Sequence, residues 1–232
     1  MKIKPLGHPA AILAMLIHSA LVFADGSAVD KVYAPYVQPL EKELEWRLRD
    51  ADGIQKQRLG YGQSVTDKLF VEAYLIGEDT GDNALRLEAY ELEALWQLTE
   101  QGEYLFDWGL ITEFEWQRDN GNWEAATGLI TVRTWGRWVA TSNLWLKYEW
   151  QADGNKEFET ALALQGRYRL VSWFEPALEF YAGENTRALG PVATGDLRLQ
   201  PGKKLHWELG ALTGLNSQTA DVTWRALLEL EF

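Results

Sequence analysis

Apolar and polar residues alternate one by one along most of the chain, in rows of about 8 to 13 residues. Residues 104–116, 138–150, 157–170 and 222–232 place an aromatic or aliphatic side chain at nearly every second position, with polar residues between them. This period is that of a β-strand, whose successive side chains point to opposite faces. Soluble β-sandwiches also alternate, but their strands average about 5 to 6 residues, whereas membrane-spanning strands need about 9 to 11. The row length therefore favours a membrane barrel.

Short segments rich in Asp, Asn and Gly separate the rows and take turns along the chain with a second kind of connection. Together they make 11 connections and hence 12 strands. An even count puts both termini on one side, as in single-chain bacterial barrels, and we assign the connections on that side to the periplasm. We predict an all-β fold, a closed antiparallel transmembrane β-barrel of 12 strands with short turns on both sides.

Residues 84–98 fit this scheme less simply than the other rows. They are rich in Ala, Leu and Glu, and Leu85, Leu92 and Trp96 would also share one face of a helix. In a strand, the apolar phase slips between Ala89 and Tyr90, which requires a β-bulge. We interpret the segment as a bulged strand.

The N-terminus has the layout of a secretory signal peptide. Lys2 and Lys4 precede an apolar stretch over residues 10–23, and a small-residue cleavage site ends at Ala24. The apolar stretch is too short for a membrane-spanning helix, which needs about 20 residues. Residues 1–24 are therefore predicted to be a cleaved signal peptide. Residues 25–42, which contain two prolines and no alternation, are predicted to be a periplasmic lead-in segment, and 43–232 the outer-membrane barrel.

The charge and the rare residue types narrow the functional classes. The chain carries 34 acidic and 22 basic residues, a net charge of −12, and loss of Lys2 and Lys4 with the signal makes it −14. Nucleic acid is not expected as a partner, because phosphate binding needs a basic face. The chain has no cysteine, and His206 is the one histidine after the signal. We therefore expect no metal site and no cofactor.

Six of the 12 tryptophans, with Tyr104, lie at or beside the ends of the predicted strands. Indole and phenol rings prefer the membrane interface, where one end of the ring is wet, so they form girdles at both rims of a barrel. Bulky aromatic residues are also common in strands generally, but here they recur at both ends of the rows. The predicted aromatic girdle consists of Tyr104, Trp116, Trp123, Trp135, Trp138, Trp150 and Trp173.

The last nine residues resemble the C-terminal strand of bacterial outer-membrane β-barrel proteins. Trp224, Leu228, Leu230 and Phe232 lie on one face of this strand, and the chain ends on an aromatic residue. Across the chain after the signal, the alternation is similar to that of small, porin-like members of the class; no motif identifies a subfamily. The resemblance implies a bacterial outer-membrane location, contact with outer-membrane lipid, and recognition of this strand by the barrel-assembly machinery during biogenesis.

If the apolar faces meet lipid, the opposite faces line a charged lumen. Charged groups cannot be buried dry without a cost of several kcal/mol each, so they must be paired or hydrated. A hydrated lumen indicates a narrow passive channel for small hydrophilic solutes or ions, and the excess of acids indicates a mild preference for cations. The predicted lumen-lining residues are Glu43, Glu45, Arg47, Arg49, Asp107, Glu113, Glu115, Lys147, Glu149, Glu157, Glu159, Arg167, Arg169, His206, Glu208, Arg225, Glu229 and Glu231.

Two other functions remain open at this level. The same charges could pair across strands and plug the lumen, which would leave a structural or assembly barrel. A lipid hydrolase is a third reading, in which His206 beside Glu208 would act as the base. None of the serines lies in the same predicted strand as His206. We therefore assign no catalytic residue and do not expect an enzyme.

Antiparallel closure makes one geometric prediction. If the first and last strands pair, Glu43 and Glu45 come toward Glu229 and Glu231 at the end of the barrel that carries the termini. Four carboxylates gathered there would raise one another's pKa values unless arginines or water intervene.

Overall fold

The fold is a closed barrel of antiparallel strands. A computed structural model describes residues 29–79, 81, 84–151 and 154–232, so the predicted signal peptide lies outside the described residues. The strands are β1 (Lys42–Ala51), β2 (Ile54–Thr66), β3 (Leu69–Asp79), β4 (Arg86–Gln97), β5 (Asp107–Gln117), β6 (Trp123–Trp135), β7 (Trp138–Trp150), β8 (Lys156–Tyr168), β9 (Glu175–Ala182), β10 (Arg187–Gln200), β11 (Lys203–Gly214) and β12 (Val222–Glu231).

Each strand pairs with its neighbours in sequence, and β1 pairs with β12 to close the sheet. The predicted all-β barrel of 12 strands is confirmed. Glu43 lies opposite Glu231 and Glu45 opposite Glu229, as the closure prediction required. The ends are joined by backbone hydrogen bonds in both directions between Lys42 and Phe232 (3.1 and 2.8 Å). No helix in the described part of the chain is long and apolar enough to cross a membrane.

The alternation in sequence becomes an inward and an outward face. In β1, Glu43, Glu45 and Arg47 are at most 6% exposed, whereas Leu44 between them is 45% exposed. Many acids and arginines of the other strands are likewise inside, and most of their leucines outside, although β5, β6 and β10–β12 also bury apolar residues such as Ile111, Ile130 and Leu212. An outward apolar face is the arrangement that a lipid environment stabilises.

Residues 84–98 contain the predicted strand and a bulge close to the predicted position. Along the β3–β4 pair, Ile76 lies opposite Ala89 and Gly77 opposite Leu87, so Glu88 is the extra residue. Beyond the bulge, Glu91 and Glu93 point inward and Leu92 outward. The shift is what allows an Ala- and Leu-rich sequence to keep its acids in the interior.

The connection between β4 and β5 is longer than the sequence indicated. The alternation begins at Tyr104, but β5 begins at Asp107, so Tyr104 lies in the connection. Side chains hold this loop: the Asp107 carboxylate accepts from the Gly102 amide (2.7 Å), and the Thr99 hydroxyl accepts from the Trp108 amide (2.9 Å). These local bonds replace the strand pairing that alternation alone would predict.

Residues 29–37 lie inside the barrel. Val29, Val32, Tyr33 and Val37 are each no more than 7% exposed. The chain turns at residues 38–41 and enters β1 at Lys42. We expected residues 25–42 to be a periplasmic lead-in; residues 25–28 lie outside the described residues, and residues 29–37 occupy the barrel interior. Alternation detects strands in a sheet, and the interior segment belongs to no sheet, so the pattern gave no sign of its place.

Interior packing on the β2–β3 side depends on glycine. A Cβ on Gly60 would lie 2.5 Å from Tyr74 Cε1 and closer still to the Glu72 carboxylate. Tyr74 is 2% exposed, and its ring lies against the Arg47 guanidinium (5.6 Å to the ring centroid). The missing side chain at Gly60 therefore makes room for the interior side chains of β3.

We predict that Gly60→Val destabilises the barrel, because the added atoms would force Tyr74 and Glu72 to move. Overpacking of this kind costs about 1–3 kcal/mol. The measurement is the urea midpoint for unfolding in detergent. Gly166→Val is the matched control, because a Cβ at Gly166 meets no atom within 4 Å. Equal midpoints for the two variants would contradict the packing account.

Candidate functional site: the barrel interior

Apolar contacts anchor the interior segment at two levels. Tyr33 packs in a cluster with Ile111, Ile130 and Trp145, and its ring meets the Trp145 ring edge-on at 5.8 Å. Val29 and Val32 join a second cluster with Tyr181 and Leu212. Burial of a valine side chain contributes about 1.5–3 kcal/mol, so these contacts favour the inserted position over a solvated one.

Hydrogen bonds fix the backbone of the segment against the wall. The Asn143 side chain accepts from the Tyr33 amide (2.7 Å) and donates to the Tyr33 carbonyl (2.9 Å), a pairing that imitates a β-ladder. The Val37 amide donates to Gln97 Oε1 (2.8 Å), and the Tyr36 hydroxyl donates to Asp107 Oδ2 (2.7 Å). Asn143 is fully buried, so its amide holds the segment without competition from bulk solvent.

Arg47 connects the segment to the wall. Its Nη1 donates to Asp30 Oδ2 (2.8 Å), and its Nη2 donates to Glu45 Oε1 (2.6 Å). The guanidinium also lies over the ring of Tyr33 (5.8 Å). At 2% exposed, Arg47 would be an uncompensated buried charge without these carboxylates, and Asp30 of the segment supplies one of them.

Lys31 supplies a cation for two of the four facing carboxylates, Glu45 and Glu229, and Lys204 of β11 pairs with Glu231 (2.5 Å). The Lys31 ammonium lies 2.7 Å from Glu45 Oε2 and 3.1 Å from Glu229 Oε2, which joins β1 to β12. Carboxylate oxygens of Glu43, Glu45 and Glu229 lie within 4.8 Å of one another. Lys31, which belongs to the interior segment and not to the sheet, therefore reduces the repulsion between the carboxylates that the pairing of β1 with β12 brings together.

Arg225 forms a second charged centre on the β9–β12 side. Its Nη2 lies 3.0 Å from Glu179 and 2.9 Å from Glu208 Oε2. Its Nη1 donates to the Asp30 carbonyl and contacts the Tyr181 hydroxyl. Tyr181 in turn donates to Glu179 Oε2 (2.7 Å). One residue of the segment, Asp30, thus contacts both arginine centres.

His206 bridges two acids. Its Nδ1 lies 2.7 Å from Asp196 Oδ1, and its Nε2 lies 3.3 Å from both Glu208 Oε1 and the Thr194 hydroxyl. A general base needs a ring nitrogen that is free to take a proton from a nucleophile. Between two carboxylates, the ring is stabilised as an imidazolium that donates from both nitrogens, which makes it a structural cation.

Two cavities remain beside the segment. The larger, about 330 Å³, is lined by segment residues, including Lys31 and Tyr36, and by wall residues that include Glu43, Glu72 and Arg169. The smaller, about 20 Å³, lies between Val29, Asp30 and the β1–β2 wall. A water needs roughly 10–15 Å³ by this kind of measure, so the smaller space holds about one. The larger one can hold a small solute.

The remaining predicted lumen residues also point inward. Lys147 pairs with Glu124 (3.1 Å) and Arg167 with Glu175 (2.8 Å). Arg169 and Arg49 border the large and the small cavity respectively. The others, Glu113, Glu115, Glu149, Glu157 and Glu159, lie on the inward phase of β5, β7 and β8.

Sequence reasoning missed several interior residues of equal importance. Those on the wall are Arg58, Glu72, Glu91, Glu93, Asn143, Glu179 and Asp196; those on the segment are Asp30, Lys31 and Tyr33. The wall residues follow from the alternation of their strands, and Glu91 and Glu93 also require the bulge at Glu88 to be placed. The segment residues carry no periodic signal. In the sequence, these residues stand out only as a mixture of charged residues, valine and tyrosine ahead of the first strand.

The aromatic residues lie at both rims. Trp116, Trp123 and Trp150 form one stacked group, with ring centroids 6.1 Å and 6.4 Å apart for successive pairs. At the opposite rim, Trp135 and Trp138 are half exposed, as are Tyr104 and Trp173 in the connections there. On the last strand, Trp224, Leu228 and Phe232 point outward; Trp224 lies near the rim away from the termini, opposite Asp50, and Phe232 lies at the rim that holds the termini.

Glu41 lies at the mouth of the barrel, ahead of β1, and borders the large cavity. Burial, followed by a hydrogen bond with Glu231 and the charges of Glu231 and Glu229, raises the pKa of Glu41 to about 8. Its protonated form is therefore favoured in the folded protein at neutral pH.

Comparisons with known proteins support the fold. No protein-family model matches the chain, and no curated protein matches it. Among solved structures, the barrel is similar to the NanC porin (TM-score 0.53, 11% identity) and the KdgM porin (TM-score 0.51, 12% identity), each over 82% of this chain and 98% of the other. It is also similar to an outer-membrane channel from Pseudomonas putida F1 (TM-score 0.53, 15% identity, 88% of this chain and 98% of the other). The predicted outer-membrane-barrel fold is thus confirmed, and no subfamily is identified.

We predict that Asn143→Leu loosens the interior segment without opening the sheet. Two buried hydrogen bonds to Tyr33 are lost, at about 1 kcal/mol each. Amide hydrogen exchange of residues 30–37 should therefore rise about thirtyfold, since about 1.4 kcal/mol corresponds to tenfold.

Ser142→Ala is the matched control, because Ser142 is the next residue of β7 and lies on the opposite face. Unchanged exchange in Asn143→Leu, or an equal rise in Ser142→Ala, would contradict the role of Asn143 as the clamp of the segment.

We predict that Glu41 makes stability depend on pH. A carboxyl whose folded pKa is raised contributes stability that is fully present below the unfolded value of 4.5 and is lost as the pH rises through about 8. The urea midpoint of the wild type should therefore fall from pH 4.5 to pH 8 by more than that of Glu41→Gln. Parallel pH profiles for the two proteins would show that Glu41 titrates normally.

Proposed function

We propose that the protein is a bacterial outer-membrane channel for small hydrophilic solutes or ions, with a preference for cations, and that residues 29–37 hold it in a closed state. The observation that carries the proposal is the interior cavity of about 330 Å³, lined largely by charged and polar side chains within a porin-like barrel. The interior charges must be paired or hydrated, and this cavity leaves room for water beside the paired groups, which supports a hydrated path through the barrel.

The charge on the cavity wall supports the preference for cations. Even without Glu41, acids outnumber cations there: the acids are Glu43, Glu72, Glu93, Asp196, Glu208, Glu229 and Glu231, against Lys31, Arg167, Arg169, Lys204 and His206. Field lines concentrate in a lumen with low-dielectric walls, so an acidic excess raises the local concentration of cations. If the segment leaves, Lys31 leaves with it, which increases the negative excess of the wall.

The small size of the smaller cavity supports a closed state. At the level of Asp30 and Arg47 the space beside the segment is about 20 Å³, which is room for water but not for a solute. Passage of anything larger would require the segment to move. Its polar contacts, centred on Arg47, Lys31 and Asn143, are replaceable by water, which makes movement possible at a finite cost.

A second candidate function follows from the same contacts. If Asp30 and Lys31 are permanent members of the charge network, the barrel is plugged and serves as a structural or assembly component of the membrane. The bridging of Arg47 and Arg225 by Asp30 favours this reading. A lipid hydrolase is supported less, because both ring nitrogens of His206 face carboxylates.

We predict that removing the contacts of the segment raises conductance. The variant Asp30→Ala/Lys31→Ala/Tyr33→Ala keeps the chain length and deletes the charged and aromatic anchors. In planar bilayers, the wild type should show small or rare steps and the variant larger and more frequent ones. The matched control is Glu103→Ala/Leu105→Ala, which changes an exposed connection at the same end.

The two candidates give different results. A plugged structural barrel would give no steps for the wild type under any salt or voltage and steps only for the variant, whereas a channel would give steps for both. Folding is checked separately by the shift in gel mobility on heating, which closed barrels show in detergent.

We predict that the acids of the cavity set selectivity. Glu72→Gln/Glu93→Gln removes two interior carboxylates, so the reversal potential in a KCl gradient should move toward zero relative to the parent. The parent for this measurement is the triple variant, whose larger steps make the potential easier to read. Asp119→Asn, in an exposed turn, is the control and should leave the potential unchanged. A reversal potential that indicates anion preference in the parent would contradict the proposal.

A further inference from the structure

The outer surface of the barrel carries a groove across β6, β7 and β8. Its volume is about 670 Å³, and it lies on the lipid-facing side near the rim that holds the termini. The floor is made by small residues, because Arg133 lies opposite Ala140, and Ala140 lies opposite Gly166. A Cβ at Gly166 would meet no atom within 4 Å, so the groove is open at this point.

Aromatic and aliphatic side chains form the walls of the groove. Phe106 and Trp135 flank it on the rim side and Leu164 on the other. Trp135 is 49% exposed and Phe106 37% exposed, so both rings present a free face. The groove therefore has a floor of small residues and walls of bulky apolar side chains, and it is open to the surrounding membrane.

Arg133 is a cation on a face that is otherwise apolar. Its neighbours in β6, Val132 and Ile130, point inward and are at most 2% exposed, so Arg133 itself points outward. Its guanidinium lies 5.6 Å from the centroid of the Phe106 ring, and it forms no ion pair with any described residue. A lipid-facing arginine is costly at the bilayer centre, at about 2–4 kcal/mol, and nearly free of cost at the interface.

Arg133 is two residues from the end of β6, which places it about 7 Å along the strand from the rim. At that depth a guanidinium reaches the headgroup region of the membrane. Arginine presents two parallel N–H groups that match a phosphate. Because the Phe106 ring lies against the Arg133 guanidinium, a phosphate can approach the guanidinium only from the other directions.

The floor from Ala140 to Gly166 crosses β7 and β8 two residues from their ends at this rim. The groove continues away from the rim, deeper along the strands, past Ser142 and Leu164.

We propose that this groove is a binding site for one membrane phospholipid, with the phosphate on Arg133 and an acyl chain along Ala140 and Gly166. Charge complementarity identifies the ligand. The positive charge of Arg133 attracts the phosphate, and the apolar surface of the groove contacts the acyl chain. The inference rests on the membrane location in the proposed function and is independent of whether the lumen conducts.

Native mass spectrometry of the detergent-purified protein, titrated with phosphatidylglycerol, tests the site. In the mass spectrum, the wild type should show a peak for one bound lipid that is more intense than the gradually declining series of peaks that unspecific binding gives. Arg133→Gln should weaken retention about tenfold, since a charge-assisted hydrogen bond contributes about 1.5–3 kcal/mol and about 1.4 kcal/mol corresponds to tenfold. Gly166→Leu fills the floor and should weaken it by a similar factor.

Two matched controls separate the site from general lipid contact. Lys156→Gln removes an exposed cation at the opposite end of β8, and Ala226→Leu enlarges a small outward residue on β12. Neither should change retention. Equal loss in the controls, or full retention in both groove variants, would overturn the inference.

The result is distinguishable from failure of the channel proposal. Heat-modified gel mobility shows whether each variant folds, and insertion into phosphatidylglycerol vesicles shows whether the barrel enters a membrane. A barrel that inserts and retains the lipid but never conducts would refute the channel and leave the groove. A barrel that conducts without retaining the lipid would do the reverse.

Discussion

The structure depends on the requirement that every charge pointing into the barrel meets an opposite charge or water. A closed sheet with an apolar exterior has no other place for its polar residues, and an unpaired buried charge costs several kcal/mol. The wall meets this requirement only in part. Arg47 pairs with Glu45 of its own strand, but Glu45 and Glu229 face each other across the closure and need a cation.

The interior segment completes the network. Lys31 lies between the two facing acids, and Asp30 contacts Arg47 by its carboxylate and Arg225 by its carbonyl. Asp30 and Lys31 thus compensate charges of the barrel wall and, as part of the segment, also fill the lumen. A channel that opened by releasing the segment would expose the acids of β1 and β12, which is the physical link between gating and cation preference in the proposed function.

The sequence was sufficient for the sheet and insufficient for what fills it. Period-two alternation predicted the strands, their even number and the pairing of Glu43 and Glu45 with Glu231 and Glu229, because each of these follows from local geometry and chain order. It also predicted the need for a bulge in β4, although the extra residue is Glu88. The start of β5 at Asp107 and the interior place of Tyr33 depend on side-chain hydrogen bonds to distant residues, such as Asn143, which leave no periodic trace.

The most direct test of this account is the accessibility of single cysteines in the segment, for which the cysteine-free chain gives no background. Val32→Cys replaces a residue that is 7% exposed inside the barrel, and Leu40→Cys replaces one that is 91% exposed just outside it. Labelling with a bulky, membrane-impermeant maleimide should be fast at position 40 and at least about tenfold slower at position 32, since reaction there requires an opening of more than about 1.4 kcal/mol. Equal rates at the two positions would show that the segment does not occupy the lumen.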